Sequence, residues 1–247
     1  LAPDDGKLDS DGHGTQVAGI VLGVAPDARI VSLDIFRNQS GEEFAYDSDI
    51  IGAIDWVIAN RAAYNIVAIN LSLEGDFRYT SPCFSDVYAT PIANARAAGI
   101  LTAAASGNEA DKSGIASPAC VPAAISVGAV YSADFGTENW SICTDKVSYA
   151  DRVVCFSNSA SFLTLLAPGA EITAAGLTES GTSQAVPHVA GAIAVLRAAR
   201  PGESLDFTVG RLTSTGVPIL DVNGTATPRI DLLGAYNAGV RLTGRVS

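Results

Sequence analysis

Five stretches of the chain are apolar almost without interruption: RIVSLDIF (29–36), NIVAINLSL (65–73), GILTAAAS (99–106), AAISVGAV (123–130) and FLTLLAPG (162–169). A strand with one face in water alternates apolar and polar residues, so continuous runs predict strands covered on both faces. Helical patterns separate the first three runs. One is YDSDIIGAIDWVIANRA (46–62), with Ile50, Ile51, Ile54, Val57 and Ile58 at helical spacing; the other is FSDVYATPIANARAAG (84–99), closing on Gly99 as a C-cap. This alternation predicts a parallel sheet between layers of helices, with function gathered at the carboxyl ends of the strands. No repeat, low-complexity tract or linker divides the sequence, so a single domain is expected over residues 1–247.

The 247 residues suffice for a sizeable core, and 48% are apolar against 17% charged, which excludes a disordered chain. Lys and Arg number 15 and Asp and Glu 26, a formal charge of −11 that repels phosphate backbones and argues against a nucleic-acid partner. No apolar run reaches the roughly 18 residues of a spanning helix, so no membrane partner is expected. The first residues, LAPDDGKLDSDG, are polar and acidic, which suits a mature or trimmed form, or a cytoplasmic protein. The cysteines favour export, to an extracellular or periplasmic location. Cys83, Cys120, Cys143 and Cys155 form an even set without metal-ligand spacing and allow three connectivities. Cys83–Cys120 with Cys143–Cys155, the latter closing a short polar loop, is the preferred pairing; four free thiols is the alternative.

Residues 180–196 read SGTSQAVPHVAGAIAVL. Thr182 is suited to cap a helix whose first turn holds Ser183, and from Ala185 to Leu196 that helix is apolar all round except at His188, so it should cross the core. Pro187 falls near the start, where a missing N–H costs least. A hydroxyl held at the positive end of a buried helix suits a nucleophile whose product oxyanion needs N–H donors. On this stretch alone, an ordinary N-terminal serine is the simpler reading. A serine nucleophile needs a base. His188, five residues on, lies about 140° round the axis and should pack as a core histidine. His13 stands in SDGHGTQVAGIVLG (10–23), between two glycines at the mouth of another apolar helix.

The segments DGHGTQVAG, INLSLEG, AAASGNEA, LLAPG and SGTSQAVPHVAG resemble, in order, the signature segments of the subtilisin-like serine peptidases, and the likeness runs from about residue 9 to TPRIDLLGA at 227–235. The resemblance implies a three-layer α/β/α fold with a mainly parallel, about seven-stranded twisted sheet. It implies His13 as general base, Ser183 as nucleophile and the Asn108 side chain as an oxyanion donor beside the Ser183 N–H. The position of Asn108 agrees: SGNE follows the apolar run 99–106 and so lies at a strand's carboxyl end. Substrates would be proteins or peptides in extended conformation, paired with the edge Ser72, Leu73, Glu74 and Gly75. Gly41 to Phe44 would form the opposite rim, and Ala104, Ala105 and Ser106 the primary specificity pocket. Glu74 stands where the family usually has glycine. With Glu109 it would let basic side chains compete at the pocket, unless both carboxylates point into solvent.

The family's triad aspartate is missing from its usual place, on a strand some tens of residues before the histidine. Asp4, Asp5, Asp9 and Asp11 lie in polar sequence, Asp11 reading as a helix cap, and Asp34 within VSLDIF is better explained by pairing with Arg29 or Arg37. Three readings follow: the first strand and its aspartate are absent from this sequence as a trimmed segment, the chain works as a Ser–His pair, or it is a catalytically impaired or inactive peptide-binding module on the same fold. The first is preferred, because a sheet lacking a central strand exposes edges. The chain's own missing N-terminal segment or propeptide is then a partner. No cofactor is required for the chemistry and no metal ligand set is identified. GIVLGVAPDA (19–28) runs straight on where the family often carries a calcium-binding insertion, and structural calcium elsewhere is left open. Gln184 follows the nucleophile where relatives often have methionine, and the chain contains none. A nucleotide-binding reading fails for want of a GxGxxG or GxxxxGK[ST] loop after any strand.

Overall fold

The structure is a computed structural model that describes residue 9, residues 12–39 and residues 42–239. A central sheet of six strands runs in the order Val217–Leu220, Ala226–Arg229, Leu165–Pro168, Ala124–Val130, Leu101–Ala105, Ala68–Leu71. All neighbouring pairs are parallel except the first, which is an antiparallel hairpin. This is the three-layer, mainly parallel architecture expected.

The apolar runs are continuous because alternate residues serve different layers. Leu101, Ala103 and Ala105 pack into one core with Ile125, Val127, Ala129, Leu165 and Ala167. Helix α4 (Thr182–Ala199) covers that face, with α5 (Leu205–Thr215) and α6 (Leu232–Asn237) beside it. Ala104, Ile69, Leu71, Val130 and Leu166 enter the opposite core. Helices α2 (Asp47–Tyr64) and α3 (Ala89–Ala97) close that side, Ile54 and Ile92 pointing inward. Gly99 follows α3 at φ +87° and its N–H returns to Arg96 O, as a helix-ending glycine does. The remaining helix, α1 (His13–Val24), lies along α4. The two approach closely at Gly191, where a Cβ would stand 2.8 Å from Val24 Cβ.

Two disulfides form, Cys83–Cys120 and Cys143–Cys155, in the preferred pairing. No helix among the described residues is long and apolar enough to cross a membrane.

One predicted strand does not form. Within 29–36 only Phe36 enters a strand, in the hairpin Phe36–Gln39 with Glu42–Ala45, and residues 29–35 pair with nothing in the sheet. Ile30 is 42% and Val31 38% exposed. Apolar composition favours a strand only where another strand supplies hydrogen bonds. Among the described residues the sheet ends at Ala68–Leu71. Asp34 takes the Phe36 N–H, while Arg37 pairs with Asp49 at 2.6 Å, so the pairing expected of Asp34 with Arg37 is not made.

Candidate active site

Loops leaving the carboxyl ends of three strands meet the first turn of α4. Gly181, the residue before it, donates to Gly169 O at 2.7 Å, just beyond Leu165–Pro168. From Leu101–Ala105 the chain continues into Asn108, whose Oδ1 accepts the Thr182 N–H at 2.8 Å and the Thr182 hydroxyl at 3.1 Å. From Ala68–Leu71 it continues into Ser72, whose hydroxyl donates to Ser183 O at 2.7 Å. The helix starts at Thr182 with Gly181 as N-cap and no side-chain cap, so Thr182 is not the cap the sequence suggests; its hydroxyl is turned to Asn108. The first N–H groups of a helix have no partners within it, and here the Asn108 carbonyl takes the one that precedes Ser183.

The Ser183 hydroxyl donates to Ser72 O at 3.3 Å. His13 is the first residue of α1, entered through Gly12 at φ +84°, where a Cβ would stand 2.7 Å from Leu177 Cδ1. The first turns of α1 and α4 are joined by Gln184 Nε2, which donates to Gln16 Oε1 at 2.8 Å and to Glu179 Oε2 at 2.9 Å. His13 and Ser183 therefore begin two adjacent helices tied to each other one turn in. Asp11 lies outside the described residues. The carboxylate at the mouth of α1 is Asp9, which accepts the Thr15 N–H at 2.6 Å. Burial pushes Asp9 up, but hydrogen bonds from Thr15, Gly14 and Gly12 prevail and hold it below the usual carboxylate range. His188 is half-buried with Nδ1 2.9 Å from Gln184 O, and burial lowers its pKa, as befits a core histidine.

The expected substrate residues separate into two groups. Ala104, Ala105 and Ser106 have no exposed surface, and the Ser106 hydroxyl is spent on Asn158 O. They underlie the surface; what reaches solvent around them is Glu74, Asn108 and Glu109. Ser72 and Leu73 are half-buried, and Gly75 is exposed with its N–H donated to Ser117 O. Gly41 lies outside the described residues, and Phe44, in the hairpin beside it, sets its ring edge-on to Tyr46.

Neither Glu74 nor Glu109 simply points away into solvent. Asn108 Nδ2 donates to Glu74 Oε1 at 3.2 Å, and Asn158 Nδ2 donates to Glu109 Oε2 at 2.5 Å. Glu74 is exposed as a residue, yet its carboxylate is crowded: burial and then the Glu109 charge push its pKa above the ordinary carboxylate range. Asn158 also fixes the loop after Asn108, its Oδ1 accepting from Glu109 N and Asp111 N.

Sequence reasoning missed Gln16, Asn158 and the true role of Thr182. A signal was present for the first: Gln16 and Gln184 are polar residues buried in otherwise apolar helices, each within three residues of a candidate catalytic group. Among the described residues one grouping has metal-like spacing, Cys83, Asp86 and Cys120, and its two sulfurs are joined in the disulfide.

The sequence model of the subtilase family matches residues 2–215. Subtilisin of Bacillus pumilus is 34% identical over 224 residues, covering 84% of this chain and 70% of that protein. The extracellular serine proteinase of Thermus sp. (strain Rt41A) is 34% identical over 203 residues, covering 79% of this chain and 43% of that protein. Among solved structures, a cold adapted subtilisin-like serine proteinase superposes with a TM-score of 0.69 at 30% identity, covering 88% of this chain and 73% of that one. The chain spans about half the length of several of the curated relatives it matches.

Proposed function

The chain belongs to the subtilase family, and from that premise we propose that it is a serine endopeptidase, acting on extended peptide segments through an acyl-enzyme on Ser183 with His13 as general base. The single observation that carries this reading is the anchoring of Asn108 on α4: with Oδ1 held by Thr182, its amide stands at the same helix mouth as the Ser183 N–H. In the reaction Ser183 Oγ leaves Ser72 O and attacks the substrate carbonyl while its proton passes to the His13 imidazole. The carbonyl oxygen becomes an oxyanion, met by the Ser183 N–H and Asn108 Nδ2. The amine departs with the proton from His13, and water repeats the sequence to release the acid.

The orienting carboxylate is assigned to a further strand pairing with the Ala68–Leu71 edge, within one domain that includes residues 1–247. The unpaired run 29–35 and the end position of Ala68–Leu71 support that assignment. Two disulfides support an extracellular or periplasmic location, and the chemistry asks for no cofactor.

A second reading, a peptide-binding module without turnover, draws on one observation: the Ser183 hydroxyl and the Asn108 amide are both engaged within the protein. Treatment with a fluorophosphonate separates the two. The peptidase gains one phosphonyl group in intact mass and loses the reaction on Ser183→Ala; an unlabelled wild-type chain that still binds peptides establishes the module.

A further inference from the structure

If Asn108 is the side-chain donor to the oxyanion, as proposed above, its donor atom is already committed in the free protein. Oδ1 is fixed by the Thr182 N–H and hydroxyl, so Nδ2 keeps its direction, and it points to Glu74 Oε1 at 3.2 Å. Glu74 Oε2 and Glu109 Oε2 each lie 2.8 Å from the point where a Cβ on Gly107 would stand, and Asn158 Nδ2 lies nearer still, so both carboxylates and the Asn158 amide share the space that this glycine leaves. Glu109 has counter-groups: Arg78 Nη1 at 3.5 Å and Asn158 Nδ2 at 2.5 Å. Among the described residues no cation is paired with Glu74, whose carboxyl meets the uncharged side-chain and backbone N–H groups of Asn108 and the neighbouring Glu109 carboxyl.

We propose that Glu74 gates the Asn108 amide, and that a lysine or arginine side chain on the acyl side of the scissile bond opens the gate, so that the chain cleaves preferentially after basic residues. A carboxylate on Nδ2 competes with the oxyanion for the same donor, and its negative charge beside the forming oxyanion opposes catalysis. An ammonium or guanidinium approaching Glu74 from the solvent side, beside Glu109, offers Glu74 a charged partner, and charge-assisted pairs outcompete a neutral amide. Glu74 then swings off Nδ2 as the substrate seats, and the freed N–H meets the oxyanion. The contact with the basic side chain is expressed in the transition state, raising kcat more than it lowers KM. An apolar side chain of equal length leaves the gate shut.

The test uses two peptide anilides differing only in the acyl-side residue, lysine or norleucine, on wild type, Glu74→Gln and Glu74→Gly, each also treated with fluorophosphonate. Expected for wild type is at least a tenfold preference for lysine, carried by kcat. Glu74→Gln, isosteric but uncharged, should lose that preference, and Glu74→Gly should in addition raise kcat on norleucine severalfold. The gate is overturned if wild type labels normally yet shows no lysine preference, or if both variants keep it, or if Glu74→Gly slows both substrates alike. Failure of wild type to label at all overturns the catalytic reading first, and the gate with it.

Discussion

Two apolar runs of similar composition meet opposite fates. GILTAAAS supplies the interior strand Leu101–Ala105, every residue of which is buried between parallel neighbours. RIVSLDIF, equally rich in strand formers, leaves residues 29–35 outside the sheet with Ile30 and Val31 exposed. The difference teaches that hydrophobicity and β-propensity do not make a strand; a lateral partner does. It also divides the site. The Ser183–Asn108 side is built on interior strands and bonded at each turn, whereas the sheet beyond Ala68–Leu71 carries no further strand among the described residues.

The largest effect that sharpens this contrast is expected in the interior. Leu101→Ala should cost about 2–5 kcal/mol, lowering the melting temperature by roughly 5–15 °C in thermal unfolding. Next comes the loop that this strand carries: Asn108→Ala should lower kcat about 10²–10³-fold in steady-state assays, a figure measured on subtilisin itself, and should also cost about 1–3 kcal/mol in thermal unfolding, because the buried Thr182 N–H loses its acceptor. Glu74 gives a smaller effect with a sign set by its raised pKa. A carboxyl whose folded pKa is raised contributes stability below the ordinary carboxylate range and loses it as pH rises through the folded value. Glu74→Gln, a standing mimic of the protonated form, should therefore gain on wild type in melting temperature as pH climbs above about 4.

At the edge the effects should nearly vanish. Val31→Ala should stay within about 0.5 kcal/mol of wild type by denaturant titration. A loss matching that of Leu101→Ala would break the contrast and mean that the further strand assigned above covers Val31 as well as the Ala68–Leu71 edge. The smallest effect is expected beside Ser183, the proposed nucleophile. Gln184 holds a position tied to Gln16, and without any methionine in the chain, dilute peroxide should leave activity unchanged over hours in a timed assay.

Much of this arrangement was legible from local chemistry. Continuous apolar runs announced doubly covered strands, because such strands need apolar residues on both faces whatever surrounds them. GTS before an all-apolar helix, and GHG before another, marked the starts of two helices, because glycine freedom and N-terminal polarity are local properties. The helix cap was misread, since Thr182 faces a partner 74 residues away.

What the sequence determined by itself is thus the layer plan, the two helix mouths and the cysteines that pair, each resting on backbone preference or burial pattern over a few neighbouring residues. Only the tertiary structure decided that residues 29–35 stay unpaired, that Gln16 meets Gln184, and that Glu74 closes on Asn108. Those outcomes depend on hydrogen-bond and charge partners far apart in the chain, and a side chain's partner is set by where the backbone finally carries it.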